Sequence, residues 1–141
     1  MSSCEEKGAP CYCVAMRKAA RAVTRLYDDA LEPSGLRVTQ FSLLRNLQRM
    51  GPVSFAALSE AMQLDRTTLV RNLNLLARQG LLEMRAVPSS RAHEIRLTDK
   101  GGQVIERTGP SWEEAQKYME TVLTAEERGF LRSVLAKLQR V

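Results

Sequence analysis

The stretch Ser54–Thr98 reads SFAALSEAMQLDRTTLVRNLNLLARQGLLEMRAVPSSRAHEIRLT, and its apolar spacing changes from helical to alternating part-way along. Ser54, behind Pro52, is placed to cap a first helix whose Phe55, Leu58, Ala61 and Met62 face inward. Gln63 and Leu64 make a turn. Asp65 can cap a second helix, Asp65 to Gln79, in which Leu69, Val70, Leu73, Leu76 and Ala77 follow the i, i+1, i+4, i+7, i+8 spacing of one buried face. Gly80 stands where a left-handed residue ends a helix, and Arg78 in the last turn complements the dipole.

From Leu81 to Val87 the pattern alternates, with Leu82, Met84 and Ala86 on one side and Glu83, Arg85 and Val87 on the other. Pro88-Ser89-Ser90 breaks it, and His93 to Leu97 alternates again with Ile95 and Leu97 inward and Glu94 and Arg96 outward. Two short helices joined by a tight turn and followed by a strand-loop-strand are the plan of a winged helix-turn-helix. The fold class expected is therefore mainly α with a small β-hairpin wing. Projected at about 100° per residue, the face of the second helix away from its leucines carries Thr67, Thr68, Arg71, Leu75 and Arg78. Arg clasps the O6 and N7 acceptors of guanine, and Thr meets bases, thymine methyls or phosphates, so this face suits a major groove. Arg66, at the first turn, is better placed for phosphate, and Arg91 at the tip of the wing suits a minor groove.

A chain of 141 residues with 44% hydrophobic content can form one compact domain with helical extensions, needing neither disulfides nor a structural metal. Its charge is uneven: residues 36–100 hold ten Lys or Arg against five Asp or Glu, while the remainder holds eleven against eleven. The whole net charge of +5 lies in the unit that reads as DNA-binding. No run approaches the roughly 20 apolar residues of a membrane span. Met1 to Pro10 lacks the charged-then-apolar order of a signal peptide, so a cytoplasmic protein without membrane attachment is expected.

Outside the winged unit, Cys13 to Leu31 reads as a long amphipathic helix with Ala15, Ala19, Ala22, Val23, Leu26, Tyr27 and Ala30 on one stripe. Glu32-Pro33-Ser34-Gly35 ends it, and Thr39 is expected to cap a helix from Gln40 to about Met50 that packs Phe41, Leu44 and Leu47. Beyond the wing, Thr98 caps another long helix, with Val104, Ile105, Trp112, Ala115, Met119 and Val122 inward. Gly101 and Gly102 weaken its first turn, and Gly109-Pro110 is expected to kink or interrupt it. Thr124-Ala125-Glu126-Glu127 is a capping box for a last helix with an apolar stripe of Phe130, Leu131, Val134, Leu135 and Leu138. A winged unit of about 60 residues offers little surface to three such helices, so a two-fold dimer is expected. It would set two recognition helices roughly 34 Å apart and favour a palindromic operator. The organisation expected is a Cys-containing arm (1–12), a dimerisation helix (13–35), a winged helix-turn-helix (36–98) and C-terminal dimerisation helices (99–141).

The order of these helices, the segment Leu64-Asp65-Arg66-Thr67-Thr68-Leu69-Val70-Arg71, the exit Gly80-Leu81-Leu82, and Arg91 ahead of Leu97-Thr98-Asp99-Lys100-Gly101 resemble the MarR family of bacterial regulators over nearly all of the chain beyond residue 12. The resemblance implies a homodimer held by the first and last two helices, a recognition helix in the major groove and a wing at the minor groove. It also implies transcriptional repression relieved by a small molecule or an oxidant. Carried over by position, the DNA-facing residues are Arg66, Thr67, Thr68 and Arg71 on the helix and Arg91 on the wing. The family wing commonly carries an Asp two places before this Arg, where Ser89 stands here, so a carboxylate brace for Arg91 is missing.

Cys4, Cys11 and Cys13 all fall in the first thirteen residues, and a thiol just before a helix start can have a lowered pKa. Three readings stay open: an incidental thiol-bearing arm, redox or electrophile sensing, and soft-metal binding. His93, the only His, belongs to the wing and not to a ligand set, so no metal or other cofactor is assigned. Arg17, Arg21 and Arg25 lie at i, i+4 and i+8, read as a solvated face partly paired with Asp28 and Asp29 or as an anion-holding row. Tyr27 and Trp112 are either plain core or the lining of an effector pocket between the dimer helices and the winged unit. A winged-helix module that docks another protein is the competing function. An enzyme is not expected, since one His and no Gly-rich phosphate loop leave little material for a catalytic set.

Overall fold

The computed structural model describes residue 8 and residues 10–88 and 90–141. In chain order the elements are α1 (Tyr12–Leu31), a 3-10 turn (Glu32–Ser34), α2 (Val38–Met50), β1 (Val53–Ser54), α3 (Phe55–Met62), α4 (Arg66–Arg78), β2 (Leu82–Ala86), β3 (His93–Leu97), α5 (Asp99–Val122) and α6 (Ala125–Leu138). The fold is a winged helix-turn-helix flanked by long helices, as the apolar spacing predicts. Among the described residues, no helix is long and apolar enough to cross a membrane.

The helix-turn-helix forms where its capping chemistry dictates. Ser54 accepts the Ala57 N–H at 3.1 Å and so starts α3. Gln63 takes the left-handed conformation that turns the chain (φ 53°), and Gly80 does the same after α4 (φ 75°). Leu58 from α3 and Leu69, Leu73 and Leu76 from α4 are buried with Phe41, Leu43, Leu44 and Leu47 of α2 and with Leu82 and Ile95 of the sheet. Each such side chain contributes about 1.5–3 kcal/mol of transfer free energy when fully buried, which makes this cluster the anchor of α4.

Several local expectations give way to tertiary context. Helix α2 starts at Val38, before Thr39, because Asp28 of α1 accepts the Val38 N–H at 2.8 Å and Gln40 accepts the Arg37 N–H at 3.1 Å. Asp28 is thereby turned to backbone, and among the described residues the only ion pairs lie on the wing, so the Arg17-Arg21-Arg25 row is not paired with Asp28 or Asp29. Val53 and Ser54 form a third strand, pairing Val53 with Ile95 and Ser54 with Glu94, so the sheet order is β1-β3-β2. Two residues are too few for alternation to reveal them. Val70, expected inward, is exposed, because α4 is covered along Leu69, Leu73 and Leu76 and the next position round opens towards the wing; Ala61 on α3, also expected inward, is exposed too.

Helix α5 runs unbroken through Gly109-Pro110. Proline there removes one ladder hydrogen bond, but Ile105 and Thr108 before it and Trp112 and Ala115 after it hold both halves against the body of the protein. Gly101 has a positive role. A Cβ on it would lie 2.1 Å from the Leu81 carbonyl oxygen and 2.7 Å from Leu97 Cδ1, so only glycine lets α5 dock on the chain leaving α4. Gly101→Ala is expected to destabilise the protein by about 3 kcal/mol or more through overpacking. Gly102→Ala, whose Cβ would meet only Leu97 Cδ2 at 4.0 Å, should gain about 0.5–1 kcal/mol from helix propensity. Urea midpoints of the two variants check this opposite sign.

Candidate nucleic-acid interface

Helix α4 presents its side chains from a capped first turn. Asp65 accepts the Thr68 N–H at 3.1 Å and the Thr68 hydroxyl at 2.6 Å. The side-chain bond from Thr68, then its backbone N–H, lowers the Asp65 pKa below the ordinary carboxylate value. Thr67 and Arg71 are exposed, as is Arg78 in the last turn. Thr68 is only half exposed, and its hydroxyl proton is committed to the cap, so it reaches a partner through its methyl group or as an acceptor. Leu75 stands on the same outer surface at 36% exposure.

Arg66 lies with its guanidinium carbon 5.0 Å from the centroid of the Phe55 ring, a cation–π contact that restricts a long side chain before any ligand arrives. It shares a cleft of about 670 Å³ with Phe55, Val70, Met84, Arg91 and His93. Arg66 and Arg91 are thus brought together between the helix and the wing, whereas Thr67, Arg71 and Arg78 do not line that cleft. Arg91 is exposed, and the Ser89 position that bears on its bracing lies outside the described residues.

The wing is built on the register Leu82↔Leu97, Met84↔Ile95 and Ala86↔His93, which puts these residues on the core-facing side. Met84 remains 38% exposed because the hairpin runs out beyond the core. On the other face Glu83 pairs with Arg96 at 3.0 Å and with Arg85 at 3.4 Å. Exposed pairs of this kind stabilise by about 0–1 kcal/mol, so they trim the hairpin more than they hold it. At the opposite end of α4, Thr98 donates to the Gly80 carbonyl at 2.6 Å and Lys100 to the Gln79 carbonyl at 2.9 Å. Sequence reasoning missed both, since each joins residues about twenty positions apart.

The other candidate residues are separate from this surface. Cys11 sits at the N-cap position of α1 and Cys13 in its first turn, both exposed and free, while Cys4 lies outside the described residues. Among the described residues, no three His, Cys, Asp or Glu gather as a metal site. Tyr27 donates to Gln116 of α5, and burial raises its pKa. Trp112 packs on Phe41 at 6.4 Å between centroids, with the Arg45 guanidinium 4.6 Å from the Trp112 ring. That aromatic pair lines a cleft of about 480 Å³ with Arg45, Asn46 and Arg49, and Tyr27 is not among its lining.

A family model described as MarR family matches residues 34–91, from α2 through the helix-turn-helix to the tip of the wing. The Mycobacterium tuberculosis transcriptional regulator MosR, solved in complex with DNA, is 33% identical and superposes with a TM-score of 0.84, covering 93% of this chain and 95% of that one. The chain belongs to the MarR family. The chain is also similar to an uncharacterized HTH-type transcriptional regulator, YdgJ of Bacillus subtilis (strain 168), 30% identical over 107 residues or 75% of this chain. That alignment spans 65% of YdgJ's own length. An E. coli MarR variant complexed with operator DNA shares the fold at a TM-score of 0.80 and 22% identity, covering 88% of this chain and 90% of that one. The family and its structural neighbours are transcriptional regulators and not enzymes.

The lowered pKa of Asp65 fixes the sign of one pH effect. A carboxylate whose folded pKa is depressed contributes its full stabilisation above the unfolded pKa and loses it as pH falls through the folded value. The protection factor of the Thr68 amide against hydrogen exchange is therefore expected to drop as the solution is acidified below the ordinary carboxylate range. In Asp65→Asn the same protection should stay flat across that window.

Proposed function

We propose that this MarR-family protein is a sequence-specific DNA-binding regulator that acts as a homodimer on a palindromic operator in the cytoplasm. The observation that carries the reading is the capped, leucine-anchored helix α4, with Thr67 and Arg71 exposed on its outer face and Arg66 and Arg91 meeting beside the wing. DNA in the MosR complex supports it, as does the concentration of the chain's net charge in residues 36–100. Arg71 and Thr67 read bases in the major groove, Thr68 supports them, Arg66 and Arg78 take phosphates, and Arg91 enters the minor groove. Arg71→Ala is expected to weaken operator binding by about 1–3 kcal/mol and to relax selection at one base position. Binding isotherms and selection from a random duplex pool measure both. Failure of the parent protein to enrich any sequence would favour a protein-docking module instead.

Dimerisation follows from surface that one protomer leaves open. Phe130, Leu131, Val134 and Leu135 of α6 are 41–63% exposed, with Val14 and Val23 on α1 and Val122 at the end of α5 also uncovered. A stripe of this size at both chain ends is what a two-fold partner buries. Leu135→Glu should shift the protein to monomer in sedimentation and abolish half-site cooperativity on DNA.

The regulatory reading is repression released by a small molecule or by thiol oxidation. The small-molecule arm has Trp112 and its cleft, while Tyr27, outside that lining, is engaged with Gln116. The thiol arm rests on Cys11 and Cys13, two exposed thiols two positions apart at a helix start, with Cys4 upstream. Peroxide or a quinone is expected to release the parent protein from its operator and to leave Cys11→Ser/Cys13→Ser bound. Equal responses of the two proteins in a DNA-binding titration would remove the thiol arm.

A further inference from the structure

We propose that Gln40 and Asn72 form a positioning bridge that fixes the roll of the recognition helix about its own axis. This inference rests on the DNA-binding reading of α4. Gln40 is a primary amide at 7% exposure among Phe41, Leu43 and Leu44, a placement that is costly unless both of its polar groups are engaged. Both are. Its Oε1 accepts the Arg37 N–H at 3.1 Å, and its Nε2 donates to Asn72 Oδ1 on α4 at 3.4 Å. Asn72 in turn donates from Nδ2 to the Thr68 carbonyl at 3.0 Å, one turn back towards the Asp65 cap. The start of α2 is itself fixed to α1, where Asp28 accepts the Val38 N–H.

The leucine contacts behind α4 resist separation but are non-directional, so they define how far the helix sits from α2 better than how it is rolled. A side-chain tip about 6 Å from a helix axis moves by roughly 2 Å on a 20° roll, more than a hydrogen bond to a base edge tolerates. Asn72 adjoins Arg71 in sequence, and its bond to Gln40 is directional. The bridge therefore holds Thr67 and Arg71 at one azimuth. Gln40 and Asn72 touch no base; they act through the residues that do.

The test uses the full-length protein and the duplex selected from a random pool, with an unrelated duplex as comparison. Gln40→Glu keeps an acceptor for the Arg37 N–H and loses the donor to Asn72; Asn72→Ala removes the other side; Gln40→Met buries no charge and guards against misfolding of the Glu variant. Each single variant should bind the operator about tenfold more weakly, with the Gln40→Met/Asn72→Ala double no weaker than the worse single. Binding to the unrelated duplex should be unchanged, because a purely structural loss would lower both. Losses that multiply in the double variant, or that fall equally on the unrelated duplex, overturn the bridge. Unchanged operator affinity in these variants while Arg71→Ala is impaired also overturns the bridge alone, whereas unchanged affinity in all, Arg71→Ala included, overturns the reading face on which it rests.

Discussion

The close approach of α5 to the end of α4 is the constraint on which the arrangement depends. Gly101 lies where no Cβ can stand against the Leu81 carbonyl, and that same carbonyl accepts the Thr98 N–H at 3.2 Å. Thr98 caps α5 by accepting the Gly101 N–H while its own hydroxyl donates to Gly80. One threonine and one glycine thus end α4, start the long helix and close the sheet between them. The Leu75, Leu76 and Ala77 carbonyls at the end of α4 accept the N–H groups of Gln79, Leu81 and Gly80, and the carbonyls of Gln79 and Gly80 just beyond accept from Lys100 and Thr98, so the exit from α4 and the start of α5 cannot part without leaving polar groups unpaired.

Much of this was legible in the sequence because it rests on local rules. Ser54, Asp65, Thr98 and Thr124 each accept a backbone N–H three residues on, as their spacing predicts. The strand His93–Leu97 falls where alternation puts it. What was not legible depends on partners remote in the chain. Gly101 reads locally as a weak first turn and proves to be a required contact with Leu81. Thr39 reads as a cap, yet α2 starts earlier because Asp28, ten residues upstream, supplies the acceptor to Val38. The strand at Val53–Ser54 exists only because β3 lies beside it. Of the candidate site, Arg66, Thr67, Arg71 and Arg78 follow from the helical period, while the stacking of Arg66 on Phe55 needed the turn between two helices to be folded.

Burial is uneven along the chain. Around α2, α3, α4 and the sheet the core leucines Leu43, Leu44, Leu47, Leu58, Leu69, Leu73, Leu76 and Leu82 are at most 2% exposed, but along α6 no residue is buried. Helix α6 is held locally by the Thr124-Glu127 capping box and by Arg128, which donates to the Glu120 and Leu123 carbonyls at the end of α5. Those bonds set the elbow between α5 and α6 without burying the apolar stripe. An isolated helix of fourteen residues is marginal in water, so its persistence depends on covering that stripe. Under the dimeric reading, folding of the terminal helices and assembly are one process, while the winged unit carries its own core.

Electrostatics alone would make this a weak and unselective ligand for nucleic acid. A net charge of +5 supplies attraction that salt screens, and it carries no information about sequence. Under the DNA-binding reading, selectivity comes instead from how firmly a few groups are held. Arg66 has part of its freedom removed by Phe55 before binding, whereas Arg71 and Arg91 are exposed on the outer surface. The ordering cost of Arg71 is met only where a base edge returns a bidentate hydrogen bond, which happens at the right sequence and not elsewhere. The pre-ordered arginine raises affinity for any duplex, and the free one converts rigidity of the helix beneath it into discrimination. That rigidity comes from Asp65 at one end of α4, Thr98 and Lys100 at the other, and the leucine face between them.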